Sequence, residues 1–121
     1  MTTSHDKVFR LMSHSEVETA ESTGFVPLVE VDRKDGYIHM SPHDQVLVTA
    51  ALYFDPGSVL YALELSAEAL GEDLKWERVE ARGQVLFPHY YQGLLPWRKA
   101  SRLHTIEWSE DGTPAWSAVR A

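Results

Sequence analysis

His39, Glu77 and His89 are the ionisable side chains best suited by type and setting to acid–base chemistry in a pocket. An imidazole ordinarily titrates at about pH 6.5, so either histidine could take up and return a proton near working pH. A carboxylate beside them could hold a ribose hydroxyl or stabilise a developing cation. Tyr37, Trp76 and Tyr90 offer aromatic faces for a flat ring, and Ser41 offers a hydroxyl. Each residue also has a plainer explanation. His39 could be a half-buried histidine that orients a loop, and Ser41 a helix cap whose replacement by Ala costs about 1 kcal/mol. Glu77 could be a solvated strand residue paired with Lys75 or Arg78.

Other chemistries find less support. His39 and His43 are four apart, but Pro42 between them marks a helix start, so they do not share the helical face of a zinc-protease motif, whose Glu is also missing. No Ser lies in a Gly-x-Ser-x-Gly elbow, and there is no glycine-rich phosphate loop. No metal ligands are therefore assigned.

The elements that must carry these residues alternate between strand and helix. Asp35 to Pro42 reads as a strand entering a helix: Tyr37, His39 and Ser41 face one way, as a pocket wall, while Ile38 and Met40 face the core. Upstream, Val8 to Met12 predicts a strand. Ser13 with Glu16 forms a capping box that starts a helix, and Gly24 stops it. Val26 to Val31 is expected to be extended, followed by a charged turn from Asp32 to Gly36. Ser41 is expected to cap a second helix, with Pro42 in its first position and Val46, Leu47, Ala50, Ala51 and Phe54 as its apolar stripe.

Val59 to Leu65 is apolar on nearly both faces and predicts an interior strand. Leu74 to Val79 predicts another, with Leu74 and Trp76 opposite to Lys75 and Glu77. Val85 to Phe87 and Arg102 to Trp108 complete the set, and Pro88 predicts an irregular turn that places His89 and Tyr90 on a loop. Gly112 and Pro114 suggest a turn before a final extended segment. The whole reads as α+β.

Composition bounds the class of molecule. The 121 residues, 44% hydrophobic, are material for a single domain over 1–121. There is no Cys, which excludes disulfides and thiolate metal sites and favours a reducing cytoplasm. Residues 1–6 show no basic-then-apolar signal, and Val46 to Phe54 is far shorter than the ~20 residues of a membrane helix. A net charge of -7, against a basic cluster of only Arg98, Lys99 and Arg102, argues against an extended nucleic acid as partner. A single phosphate or a small ligand is still compatible with it, and oligomeric state is open.

Several stretches together resemble a known bacterial family. These are Gly36, Tyr37, Ile38, His39, Met40 and Ser41; Gln45, Thr49, Ala50, Tyr53 and Phe54; Leu74, Lys75, Trp76 and Glu77; Phe87, Pro88, His89 and Tyr90; and Leu95 with Pro96. In order and spacing they look like the family called domain of unknown function 952, from about Val8 to Trp108, leaving 109–121 as a C-terminal extension. The resemblance implies an ADP-ribosyltransferase-like fold: a small domain with two short, mostly antiparallel sheets and two main helices around a cleft. Such a cleft holds NAD or a related nucleotide in the active enzymes. The transferases' own catalytic residues are not carried over; on side-chain type and strand position Tyr37, Ser41, Tyr53, Trp76 and Tyr90 are expected to contact the ligand, and His39, Glu77 and His89 to act on it. The first strand is read as presenting neither the His nor the Arg that active enzymes offer the cofactor.

Three readings stand at this point: an enzyme of that type, a binding module that kept the pocket without chemistry, and an interaction protein. Under the third, Trp97, Trp108 and Trp116 pack in the core or at an interface between copies.

Overall fold

Two strands that are apolar on both faces form the spine of the molecule: β1 (Lys7–Ser13) and β5 (Leu60–Ser66), antiparallel from Lys7 opposite Ser66 to Ser13 opposite Leu60. A strand buried on both sides needs cover on both sides. The computed structural model, which describes residues 6–120, supplies it with helices; residues 1–5 of the amino-terminal reading lie outside that range. Ser13 ends β1 and begins α1 (His14–Thr23): its hydroxyl accepts from the Glu16 amide, while the Glu16 carboxylate accepts from the Ser13 amide. Gly24, in the left-handed conformation at φ 86°, closes the helix. Val17 and Ala20 of α1 join Val8, Met12, Leu63 and Leu65 in the larger core cluster. On the opposite face, Val46 and Ala50 of α3 (Val46–Tyr53) cover Phe9, Leu60, Ala62 and Ile106.

The main sheet is completed by β4 (Ser41–Pro42), β9 (Ala100–Trp108) and β10 (Pro114–Arg120), in the order β10-β9-β5-β1-β4. Thus the segment past Trp108 is the edge strand of this sheet, and Trp116 packs against the smaller core cluster. A second sheet has the order β3-β7-β6, from β3 (Ile38–His39), β6 (Leu74–Val79) and β7 (Val85–Tyr90). A two-stranded ribbon joins β2 (Phe25–Val26) to β8 (Leu95–Pro96). Among the described residues there are therefore three sheets rather than two, all antiparallel, in an α+β architecture. Two shorter helices, α2 (Glu30–Asp35) and α4 (Ala67–Leu70), add to the two main ones. Among the described residues no helix is long and apolar enough to cross a membrane.

Local expectations fail in three places. The stretch expected to be extended and then turn is extended at Val26 and Val29 but from Glu30 onward is α2, because Asp32 is drawn inward and its carboxylate caps the Val29 amide at 2.9 Å. Ser41 does not cap a helix. It pairs with Phe9 in β4, Pro42 is extended at ψ 160°, and a 3₁₀ turn, His43–Gln45, delays α3. Ala51 of the expected apolar stripe consequently faces outward. Pro88 lies inside β7 rather than at a turn, opposite Trp76, with its carbonyl accepting from the Met40 amide at 3.1 Å.

Candidate functional site

The chain changes sheets at Met40, and that change makes a cavity. Ile38 and His39 pair with Tyr90 and His89 of the second sheet, whereas Ser41 and Pro42 pair with Phe9 and Val8 of the first. β4 is so short that the edge of β1 is uncovered from Arg10 onward. Between the diverging sheets and α3 lies a cavity of about 490 Å³, lined among others by Arg10, His39, Ser41, Tyr53, Arg82 and His89. A volume of this size is typical of pockets for small ligands.

His89 and Glu77 form a pair at its wall. His89 is buried and its Nδ1 lies 2.8 Å from Glu77 Oε1. The Glu77 carboxyl is held below its usual range by hydrogen bonds from Tyr91, at 2.6 Å, and from His89. Facing a carboxylate, Nδ1 must donate. Burial pushes the His89 ring below its ordinary value, with Glu77 pulling the other way. The resulting neutral ring carries a lone pair on Nε2, which has no hydrogen-bond partner among the described residues. Tyr37 stacks on the His89 ring at 4.1 Å between centroids, with the planes 24° apart, and fixes its plane. A carboxylate, an oriented imidazole and a free nitrogen at a cavity are the parts of a general base.

His39 is differently placed. Its ring is 5.6 Å from that of His89, but Nδ1 lies 2.9 Å from Asp32 and Nε2 2.9 Å from Asp35. Both nitrogens are engaged. Asp32 in turn is buried and accepts from Arg10 at 2.5 and 3.1 Å, and from the amides of Val29 and His39. Burial disfavours the Asp32 carboxylate, yet these hydrogen bonds and the Arg10 charge outweigh it and hold the group far below the usual carboxylate range. Arg10, itself buried, also donates to the His39 carbonyl at 2.8 Å and leaves its Nε without a partner.

The three groups expected to act thus converge, though not as equals: His89 faces the cavity, Glu77 stands behind it, and His39 is tied to two aspartates. Of the expected ligand contacts, Ser41 and Tyr53 line the cavity and Tyr37 backs His89. Trp76 and Tyr90 do not. They alternate with Glu77 and His89 along their strands and pack into the larger core cluster on the other face of the sheet. The expectation that β1 presents no Arg is also corrected, since Arg10 stands in its middle and lines the cavity.

Sequence reasoning missed Arg10, Asp32 and Arg82. Arg10 did carry a signal, a charge between Phe9 and Leu11 in an apolar strand, which demands a buried partner. Among the described residues no group of three or more His, Asp or Glu side chains has the arrangement to hold a metal.

Comparison with known proteins places this geometry in context. The profile of a family described as protein of unknown function (DUF952) matches residues 11–101. The X-ray crystal structure of protein CC0527 from Caulobacter crescentus is similar at a TM-score of 0.81 and 36% identity, over 90% of this chain and 93% of that one. The solution NMR structure of the same Caulobacter crescentus protein gives 0.77 and 36%, over 89% and 90%. No curated protein matches the chain.

Proposed function

The chain belongs to the DUF952 family of proteins of unknown function, and from that premise we propose that its cavity binds a nucleotide, with NAD as the first candidate, and that His89 is the general base of a transfer or hydrolysis at the ribose. The observation that carries this is the Glu77–His89 pair: a buried, oriented imidazole with a free Nε2 at a cavity of about 490 Å³. The resemblance to ADP-ribosyltransferase-like folds supports the choice of ligand. In the reaction a hydroxyl or water attacks the anomeric carbon. The bond from that carbon to the nicotinamide nitrogen breaks with its electron pair going to the ring, and the hydroxyl proton passes to Nε2. Glu77 is a positioning residue that stabilises the imidazolium so formed.

The test is incubation with NAD while free nicotinamide is followed. The expected result is release that falls about 10²–10⁴-fold in His89→Ala. Absence of both release and calorimetric binding of NAD refutes the reading. A binding module without chemistry is the second reading, supported by the engagement of both His39 nitrogens. It expects stabilisation without turnover, about 2.7 kcal/mol at a ligand concentration one hundred times Kd.

A further inference from the structure

Taking the cavity as a nucleotide site, we infer that Arg82 is the residue that holds the ligand's phosphate. Arg82 ends the 3₁₀ turn after β6 and reaches across to α3. Nη1 donates to Thr49 Oγ1 and Nη2 to Gln45 Oε1, both at 3.0 Å. The guanidinium carbon lies 4.7 Å from the centre of the Phe87 ring and 5.8 Å from that of Tyr53. Both polar partners are neutral. A guanidinium has five N–H donors, so three are left after these two bonds. No carboxylate pairs with Arg82 among the described residues.

The charge balance of the lining singles it out. Arg10 is neutralised by Asp32 at 2.5 Å. Glu16, the acidic residue on the lining, is tied to the Ser13 amide. Among the described residues Arg82 is the cation of the lining that has no ion-pair partner, and it is clamped at two points, so its planar fork is oriented before a ligand arrives. Phe87 and His89 are two residues apart on the same face of β7, a separation of roughly 7 Å along a strand. An anion at Arg82, beside Phe87, therefore leaves the adjoining sugar within reach of His89. A second hollow, of about 390 Å³, contains Arg98, Arg102 and Arg120. These are exposed, and Arg120 is paired with Glu21, which makes that hollow a control for nonspecific anion binding.

The experiment is titration of ¹⁵N-labelled protein with inorganic phosphate, adenosine 5′-monophosphate and, at matched ionic strength, acetate, followed by amide shifts. Saturable shifts at Gln45, Thr49, Arg82 and Phe87 with both phosphates are expected, at least tenfold weaker in R82Q and unchanged in R98Q. Equal binding by R82Q and wild type, shifts centred on Arg98 and Arg102, or acetate binding as well as phosphate overturns the inference. Should R82Q lose the dispersion of a folded chain, R82K, which keeps the charge but not the fork, is judged by the same comparison. Failure of the catalytic reading is seen separately, as absent nicotinamide release with phosphate binding intact. Failure of the nucleotide reading appears as phosphate bound no more weakly than the monophosphate.

Discussion

Replacing Asp32 with alanine removes the acceptor of five hydrogen bonds, two from Arg10, one from the Val29 amide, and two from the amide and ring of His39. It also leaves a guanidinium that is 5% exposed without its counter-ion. Breaking one side of a buried pair costs about 3–5 kcal/mol. A domain of this size has a total stability of about 5–15 kcal/mol, so the variant should melt roughly 10–25 °C below wild type. The pH dependence has a definite sign. Because the folded state holds the Asp32 pKa down, its contribution is complete above the ordinary carboxylate value of about 3.9 and is lost as pH falls through the folded value. Urea unfolding of wild type should therefore weaken on acidification more steeply than that of Asp32→Asn.

The decisive arm is the double variant Arg10→Met with Asp32→Leu, in which both charges go together. It should recover the part of the loss that comes from the stranded Arg10 charge, since an apolar pair of similar bulk avoids the desolvation of two ions, while the donors of Val29 and His39 stay without their acceptor. Calorimetry and urea unfolding of wild type, Arg10→Met, Asp32→Leu and the double variant close the cycle. An Asp32→Ala variant within about 1 kcal/mol of wild type, or a double variant as unstable as the two single losses combined, refutes the reasoning.

Two further outcomes follow from the Glu77–His89 pair. Burial lowers the His89 pKa in the folded state, so its stability contribution is present above the ordinary histidine value of about 6.5 and is lost as pH falls toward the folded value; His89→Gln should flatten that part of the urea-unfolding profile between pH 7 and 5. The Tyr91 phenol is pushed up to about 12, chiefly by its hydrogen bond to Glu77, and alkaline absorbance titration of Glu77→Gln, with Tyr91→Phe as the blank, should find it returned toward about 10; an unchanged titration rules that hydrogen bond out.

The alternation of Tyr37, Ile38, His39, Met40 and Ser41 was legible without coordinates, because side-chain direction in an extended chain depends only on position parity. Ile38 and Met40 are indeed buried and His39 and Ser41 reach the cavity, although Met40, where the chain changes sheets, lines it too. The same rule, applied along β6 and β7, assigns Trp76 and Tyr90 to the faces opposite Glu77 and His89. The expectation that both would touch a ligand came from residue type, which says nothing about which side of a sheet is hollow.

What the sequence determined by itself is what neighbours within a few residues decide. The Ser13–Glu16 capping box, the left-handed stop at Gly24 and the interior strand through Leu63 all rest on contacts or periodicities inside one element. Tertiary structure alone decided that residues 38–42 serve two sheets, that Asp32 turns inward to meet Arg10 twenty-two residues away, and that Arg82 crosses thirty-three residues to Thr49. Such charges must be paired or solvated wherever the chain carries them. The choice of partner is a matter of which surfaces meet when the sheets pack, and no local pattern encodes that meeting.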